Sequence, residues 1–438
     1  MANIVTRKEV AALAGVSEAT VSRVFNGVGP MKEETKQRVL EAARTLNYHP
    51  HAIAKSFARR RSGNLGVVLP YVPKVHIFST YYFSEVLSGI GRQVMETGYD
   101  MLLMFRTPGL ESDYSKLFLS QKVDACIILG ATDTPGERAS LERLQDAGHP
   151  FCLVNQHFAG ASFNEVEADH VQGSYLAVKH LLGKGLQRIA FLNGSAEFSN
   201  SRDRLQGYLT AMREAGALPE GPWDASAVPA HLYYEGNYSR TSGYRAAERL
   251  CANRERIDAV FAANDRMAIG LMQGMRERGV EPGRDIAIVG YDDSEAARVT
   301  DPPLTSVSVP FFEMGRTAAE RLLQAIGAKG ADDRGAETAR EASAGREAGG
   351  ETTGIAEEAA TEGRQTGMMA SGELSEASTE GRPTGGLASG EPTSGVPGAA
   401  AGSGRSEAAE TAGKAGTGGG SFQIKLDTRL VIRQSCGP

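Results

Sequence analysis

The sequence predicts an N-terminal all-α helix-turn-helix domain followed by an α/β, two-lobed, doubly wound body. Three observations predict it. The first 48 residues read as short helices separated by turn residues. From residue 64 onward, short apolar runs alternate with helix-period segments, the pattern of parallel strands covered on both faces. The alternation comes in two series of roughly 100–130 residues, too much for one ordinary core in a chain of 438 residues.

The helical head comes first. Helices are expected over Arg7–Ala14, Glu18–Phe25 and Glu33–Leu46. In the third, Val39, Ala42, Ala43 and Leu46 share one face. The stretch VAALAGVSEATVSRVFNG, residues 10–27, holds two short helices broken by Gly-Val-Ser. Ala11 and Ala14 are small where helices approach, Gly15 supplies the turn, and Ser17 can cap a helix starting at Glu18. Val10, Leu13, Val16, Val21 and Val24 are the expected buried face, leaving Glu18, Ala19, Ser22 and Arg23 outward. An outward Arg suits bidentate contact with guanine in a major groove, and Ser17, Thr20, Ser22 and Asn26 can reach phosphates. The same pattern also fits a helical corner inside a larger domain. Residues 1–62 carry 11 Lys and Arg against 5 Asp and Glu, although the whole chain is at −6. A basic head on an acidic body points to an anionic partner at the head, or to a merely basic small domain.

Residues 50–62, PHAIAKSFARRRS, form a short basic amphipathic segment opened by Pro50. Apolar wedges among Lys and Arg suit a minor groove; a solvated linker is the other reading. The strands then run NLGVVLP, YDMLLMF, VDACIILG and PFCLVN, with helices Phe83–Thr97, Ser112–Ser120 and Glu137–Ala147 between them. The second series has strands RIAFLNG, ASAVPAHL, DAVFAAN and DIAIVGYDD, with helices Val171–Leu182, Ser201–Glu214, Thr241–Ala252 and Arg266–Arg278. Ligands in such folds bind off the carboxyl ends of the strands.

Residues 328–421 break the pattern. They lack Phe, Tyr and Trp, and TEGRQTGMMASGE at 361–373 returns as TEGRPTGGLASGE at 379–391. Such a composition buries too little apolar surface to offset ordering entropy, so a disordered insertion is expected. FQIKLDTRLVIRQSC, residues 422–436, then reads as a final strand or strand pair. The four cysteines, Cys126, Cys152, Cys251 and Cys436, have no metal-like spacing, and two sit in apolar runs, which fits a reducing compartment. No apolar leader and no run of about 18 apolar residues occurs, so a cytoplasmic protein is expected.

With these segments in place, the chain resembles the LacI/GalR family of bacterial transcription regulators. The likeness runs through VAALAGVSEATVSRVFNG and EETKQRVLEAARTLNYHPHAIAKSFARRRSGNLGVVLP. It resumes at HLLGKGLQRIAFLNG, RLQGY, FAANDRMAIG, IVGYDDSEAARVTDPPLTSVSVP and LVIRQSC, about 340 residues in all. The resemblance implies a homodimer, or a dimer of dimers, on a pseudo-palindromic operator, with a periplasmic-binding-protein-like body that holds a small effector, a sugar ahead of a purine. Glu18, Ala19 and Arg23 would then meet base edges, and Thr6, Ser17, Thr20, Ser22 and Asn26 would sit by the backbone. Residues 50–59 match the hinge helix, within a hinge and linker over 50–63, and Phe57 stands at a position that is usually Leu and Lys55 at a common Arg. Tyr82, Phe83, Arg204, Tyr238, Asn264, Asp265 and Asp292 match effector contacts. A planar Arg, carboxylates and aromatic faces suit a polyol ring.

The implied layout is residues 1–49 for DNA, 50–63 for the hinge, 64–327 for the effector and dimerisation body, 328–421 for the insertion and 422–438 for the returning strand. Lobe one is expected over about 64–160 and 293–325, and lobe two over about 161–292. Asp293 reads as a solvated or capping carboxylate, and His157, His170 and His180 as structural or surface groups. No nucleophile elbow, phosphate loop or metal spacing is present, so neither catalysis nor a cofactor is expected. A transporter's solute-binding protein is the competing class, opposed by the basic head.

Overall fold

A computed structural model describes residues 5–26, 29–48, 61–73, 76–108, 111–327, 409–412 and 421–437, with the backbone alone at 409–412. The expected hinge wedge with Lys55 and Phe57, the side chain of Asn26 and most of the 328–421 interval lie outside the described residues.

Three helices make the head: α1 (Arg7–Ala14), α2 (Glu18–Asn26) and α3 (Glu33–Thr45). At the start of α1, the Thr6 backbone N–H and hydroxyl both donate to the Glu9 carboxylate, at 2.6 and 2.9 Å. Gly15, at φ 63°, ends α1 in the left-handed region that a side chain disfavours. Ser17 Oγ accepts from the Thr20 N–H at 3.2 Å and so caps α2. Val10, Ala11, Ala14, Val21, Val39, Ala42 and Ala43 form the buried core of the head. Leu13, expected in that core, is instead 54 % exposed, because the three-helix contact is made from the face carrying residues 10, 11 and 14.

The body begins with β1 (Asn64–Pro70), α4 (Tyr81–Thr97), β2 (Asp100–Arg106), α5 (Ser115–Leu119), β3 (Ala125–Leu129), α6 (Pro135–Asp146), β4 (Phe151–Val154) and β5 (Glu165–Ala168). It continues with α7 (His170–Gly183), β6 (Ile189–Asn193), α8 (Ser199–Glu214), β7 (Tyr233–Glu235), α9 (Arg240–Ala252), β8 (Ala259–Ala262), α10 (Asp265–Arg276), β9 (Ala287–Asp292), α11 (Glu295–Arg298) and β10 (Thr305–Ser308). A helix over 311–327, here α12, and strands β11 (Ala409–Ala412), β12 (Phe422–Leu426) and β13 (Arg429–Val431) complete it.

Two sheets result. One runs β11-β12-β5-β4-β3-β1-β2 and the other β13-β10-β9-β8-β6-β7. All pairings are parallel except β11 with β12 and β10 with β13. Central strands such as β3 and β8 are buried along their whole length, as a sheet covered on both faces requires.

The division between lobes differs from the expected one. β5 belongs to the first sheet, not to lobe two, and β10 belongs to the second, not to lobe one. The chain therefore crosses between lobes after β5, after β10 and between β12 and β13. α12 returns to the first lobe, where Gly89 of α4 and Gly315 of α12 let the two helices touch: a Cβ at Gly89 would lie 1.9 Å from the Phe312 carbonyl oxygen. Two crossings are tied together, since the Asp169 N–H donates to the Leu426 oxygen at 2.8 Å and the Thr428 hydroxyl to the Asp169 oxygen at 3.1 Å. The tail thus serves both sheets, one strand each.

Two further expectations are corrected. The stretch ASAVPAHL is not a strand. Ala225–Ala227 forms a single 3-10 turn capped by Asp224, and the strand starts only at Tyr233, after the Leu232 N–H has closed a turn on the Pro229 oxygen. Pro229 has no N–H to give a ladder. Inside the interval expected to lack order, β11 adds to the sheet edge through backbone pairing with β12, which needs no apolar side chains.

Candidate functional site

The head presents one helix face to its surroundings. Glu18, Ala19 and Arg23 of α2 are exposed and Ser22 is half-buried, as the positions i, i+1, i+4 and i+5 of a helix whose other side holds Val21 in the core. Thr20 is half-buried and its hydroxyl shares a 3.0 Å hydrogen bond with Ser17 Oγ. Thr6 is engaged by Glu9 at the start of α1. The outward set is a short rod carrying one cation, one carboxylate and small groups, of a size that fits a DNA groove.

The second site lies where the carboxyl ends of the two sheets meet. The start of α8 rests on the loop after β4: the Ser199 N–H and hydroxyl donate to Gln156 Oε1 at 3.0 and 3.1 Å, and Asn200 Nδ2 donates to the Asn155 oxygen at 3.3 Å. Arg202 reaches Asp133, after β3, at 3.0 Å. These contacts hold the lobes against each other.

Arg204, one turn into α8, is 2 % exposed and lies over the Tyr291 ring with its guanidinium carbon 4.2 Å from the ring centre. Its Nη1 donates to the Tyr238 hydroxyl at 3.2 Å, and that hydroxyl donates to Asn200 Oδ1 at 2.9 Å and also bonds Ser201 Oγ. The Tyr291 hydroxyl, at 3.1 Å, and Arg204 Nη2, at 3.4 Å, both point at His170 Nδ1. Nδ1 must therefore accept, and Nε2 carries the proton given to Asn155 Oδ1 at 2.6 Å. Burial and the neighbouring Arg204 push the His170 imidazole well below its ordinary range, so the ring stays neutral. Arg204 Nε is buried without a partner among the described residues.

Asp292 ends β9 in a left-handed conformation, φ 107°, at 9 % exposure. No hydrogen bond or ion pair engages its carboxylate among the described residues. Burial pushes that carboxyl well above the usual range, Arg204 and Arg266 pull it down, and Asp265 pushes it further up. An unpaired carboxylate and an unpaired guanidinium N–H thus lie within electrostatic reach of each other.

The other expected contacts divide. Asp265 is 1 % exposed and fully engaged: Oδ2 accepts from the Ser294 N–H and hydroxyl at 2.7 and 2.8 Å, and Oδ1 from the Ser306 hydroxyl at 2.6 Å. It holds the turn that carries Asp292. Asn264 caps α10 by accepting from the Met267 N–H at 2.9 Å, and its Nδ2 donates to the Tyr238 oxygen at 3.1 Å. The Tyr82 hydroxyl donates to the Val154 oxygen at 3.1 Å, and its ring packs edge-on to Phe83 and Phe311.

Three participants were not legible in the sequence. Tyr81 brings its phenol toward the 292–293 turn; burial, then the charges of Glu85 and Asp293, push it up to about 12. His170 supports Arg204 rather than filling a remote structural place. Asp293, expected to be solvated or a cap, is a buried acceptor for Arg433 from the tail, with Arg298 at 3.5 Å. Only Tyr81 carried a local signal, its place beside Tyr82 at a helix start.

An exposed groove-sized helix on a small head and a cluster of buried polar side chains where two α/β lobes meet define a class: a DNA-binding regulator with a built-in small-molecule sensor. Comparison with known proteins agrees. Residues 6–51 match the model for bacterial regulatory proteins of the lacI family, and residues 178–346 match a periplasmic binding protein-like domain. The HTH-type transcriptional repressor PurR of Vibrio vulnificus is 31 % identical over 75 % of this chain and 94 % of its own. The regulator AscG of Escherichia coli is 33 % identical over 73 % and 91 %. A crystal structure of the lac repressor dimer bound to operator and the anti-inducer ONPF aligns over 74 % of this chain and 94 % of that one, with 27 % identity and a TM-score of 0.64. The chain belongs to the lacI family of bacterial regulatory proteins. It is a sequence-specific DNA-binding transcription regulator with an effector-binding body. Among the described residues no helix is long and apolar enough to cross a membrane.

Proposed function

We propose that this regulator is a repressor that binds a pseudo-palindromic operator as a homodimer and releases or grips it according to a sugar held between its lobes. Arg23 and Glu18 of α2, with Ala19, read base edges. Thr6, Ser17, Thr20, Ser22 and Asn26 hold the backbone, and Lys55 and Phe57 belong to the segment that joins head to body. In the cleft, Arg204 and Asp292 bind hydroxyls, Tyr81, Tyr238 and Phe83 form the walls, and Asn264, Asp265 and Tyr82 hold those groups in place.

One observation carries this reading: Arg204 Nε is buried with no partner among the described residues, and the carboxylate of Asp292, 9 % exposed and within its electrostatic reach, has no hydrogen bond or ion pair there. A buried donor left open is costly unless a ligand completes it. Neighbouring hydroxyls of a sugar ring satisfy both, one accepting from the guanidinium and one donating to the carboxylate. Ligand binding would shift the lobe–lobe equilibrium, and a coupling of about 1–3 kcal/mol changes operator occupancy ~5–150-fold.

The test is a thermal-shift panel of monosaccharides, disaccharides and nucleobases on the whole chain, repeated with Arg204→Ala. A sugar that raises the melting temperature of the parent alone supports the assignment. A response to nucleobases alone overturns the sugar, and an equal response in Arg204→Ala overturns the site. Removing residues 1–62 should abolish duplex binding and leave the ligand response intact.

A further inference from the structure

Behind the cleft, three side chains from three separate segments converge. His157 lies in the loop after β4, Glu167 in β5 and Asp203 in α8. His157 Nδ1 is 2.8 Å from Glu167 Oε1 and 3.7 Å from Asp203 Oδ2, and all three donor atoms lie within 4.8 Å of one another. Donors bound to one zinc-sized ion at about 2.0–2.2 Å in tetrahedral arrangement stand about 3.4 Å apart, in the middle of that range. The His157 backbone is fixed by its N–H donating to Ser199 Oγ at 2.9 Å.

A second observation points the same way. Glu165, two residues before Glu167 and so on the same face of β5, is 5 % exposed, and its Oε1 is buried with no partner among the described residues. Its other oxygen accepts from Gln423 at 3.1 Å. Three carboxylates therefore share one buried region. Apart from His157 itself, the cations that face it do not neutralise them. Arg202 is committed to Asp133 and the Ala196 oxygen. Lys425, opposite Glu167 in the neighbouring strand, is exposed and makes no ion pair within 4 Å among the described residues.

We propose that His157, Glu167 and Asp203 form a site for one divalent cation of the zinc type, with Glu165 as a neighbouring carboxylate, and that the bound ion bridges the two lobes. One imidazole nitrogen and two carboxylates are a borderline donor set suited to such ions rather than to calcium. Two donors belong to the first lobe and Asp203 to the second, one residue before Arg204. An ion drawn between them clamps the start of α8 onto the loop after β4.

The experiment uses the whole chain, stripped with a chelator, with neither effector nor DNA, so its failure says nothing against the sugar assignment. Zn2+ is titrated by calorimetry, and Co2+ by its visible absorption, which reports the donor geometry. The expected result is one site per chain with an N/O donor spectrum, weakened at least 30-fold in His157→Ala and in Glu167→Gln. Asp203→Asn should weaken it about as much. His180→Ala serves as a control and should leave the site unchanged. No saturable site in the parent, or unchanged affinity in His157→Ala and Glu167→Gln, overturns the site. Loss in those two with full affinity in Asp203→Asn overturns the bridge. Circular dichroism on every variant confirms that each is folded.

Discussion

Ser306→Ala tests how the cleft carboxylate is held in place. Ser306 is fully buried in β10. Its hydroxyl donates to Asp265 Oδ1 at 2.6 Å and accepts from the Asp293 N–H at 3.0 Å. The alanine leaves the strand ladder intact but removes both bonds. It strands one oxygen of a buried carboxylate and one buried backbone N–H. Each orphaned group costs about 1–3 kcal/mol, with the charged one at the upper end, so the sum is about 3–5 kcal/mol. Ser308, two residues on, is partly exposed with no side-chain hydrogen bond among the described residues, and Ser308→Ala should stay within about 0.5 kcal/mol. Urea unfolding of both variants measures the difference. Calorimetry with whichever sugar the thermal-shift panel identifies should show weaker binding in Ser306→Ala, because Asp292 keeps its left-handed backbone only while the turn is tied. A loss of stability under about 1 kcal/mol together with parental sugar affinity would refute the latch.

Four shorter predictions accompany it. Asp292→Ala should remove the ligand response in a gel-shift titration while leaving operator affinity without ligand near that of the parent, since Asp292 is far in sequence and role from the head. Arg23→Ala should cost about 1–3 kcal/mol in operator affinity and relax selection at one base position, read by sequencing bound members of a randomised duplex pool. Gly194→Ala would place a Cβ 2.2 Å from the Tyr238 ring, so the ring must leave Arg204, and sugar affinity should fall at least tenfold by calorimetry. Burial pushes the Tyr81 phenol from its ordinary 10 up to about 12 in the folded chain, so the stability it contributes is complete below pH 10 and is lost as pH rises through 12. Tyr81→Phe should therefore flatten the fall of the urea midpoint between pH 9 and pH 11, roughly the onset of that window.

What could be read from the chain alone was local in origin. The Ala11, Gly15 and Ser17 turn, the outward positions 18, 19, 22 and 23 and the order of strands and helices all follow from spacing within about ten residues. There, backbone geometry, capping and periodicity act without help from distant segments. The same logic placed Arg204, Tyr238 and Asp292 at strand ends or helix starts, where a cleft must draw its groups. It failed where partners are far apart in sequence. Asp265 looked like a ligand contact beside Asn264, yet both of its oxygens accept from Ser294 and Ser306, far along the chain. β10 and β5 were assigned to the wrong lobes because a strand's pattern says which face is buried and nothing about which sheet receives it. His170, Asp293 and the His157, Glu167 and Asp203 cluster came together only when three crossings brought β5, α8 and the tail side by side. Tertiary structure decided these because a buried polar group takes whichever partner the fold brings within hydrogen-bonding distance, and sequence separation has no bearing on that distance.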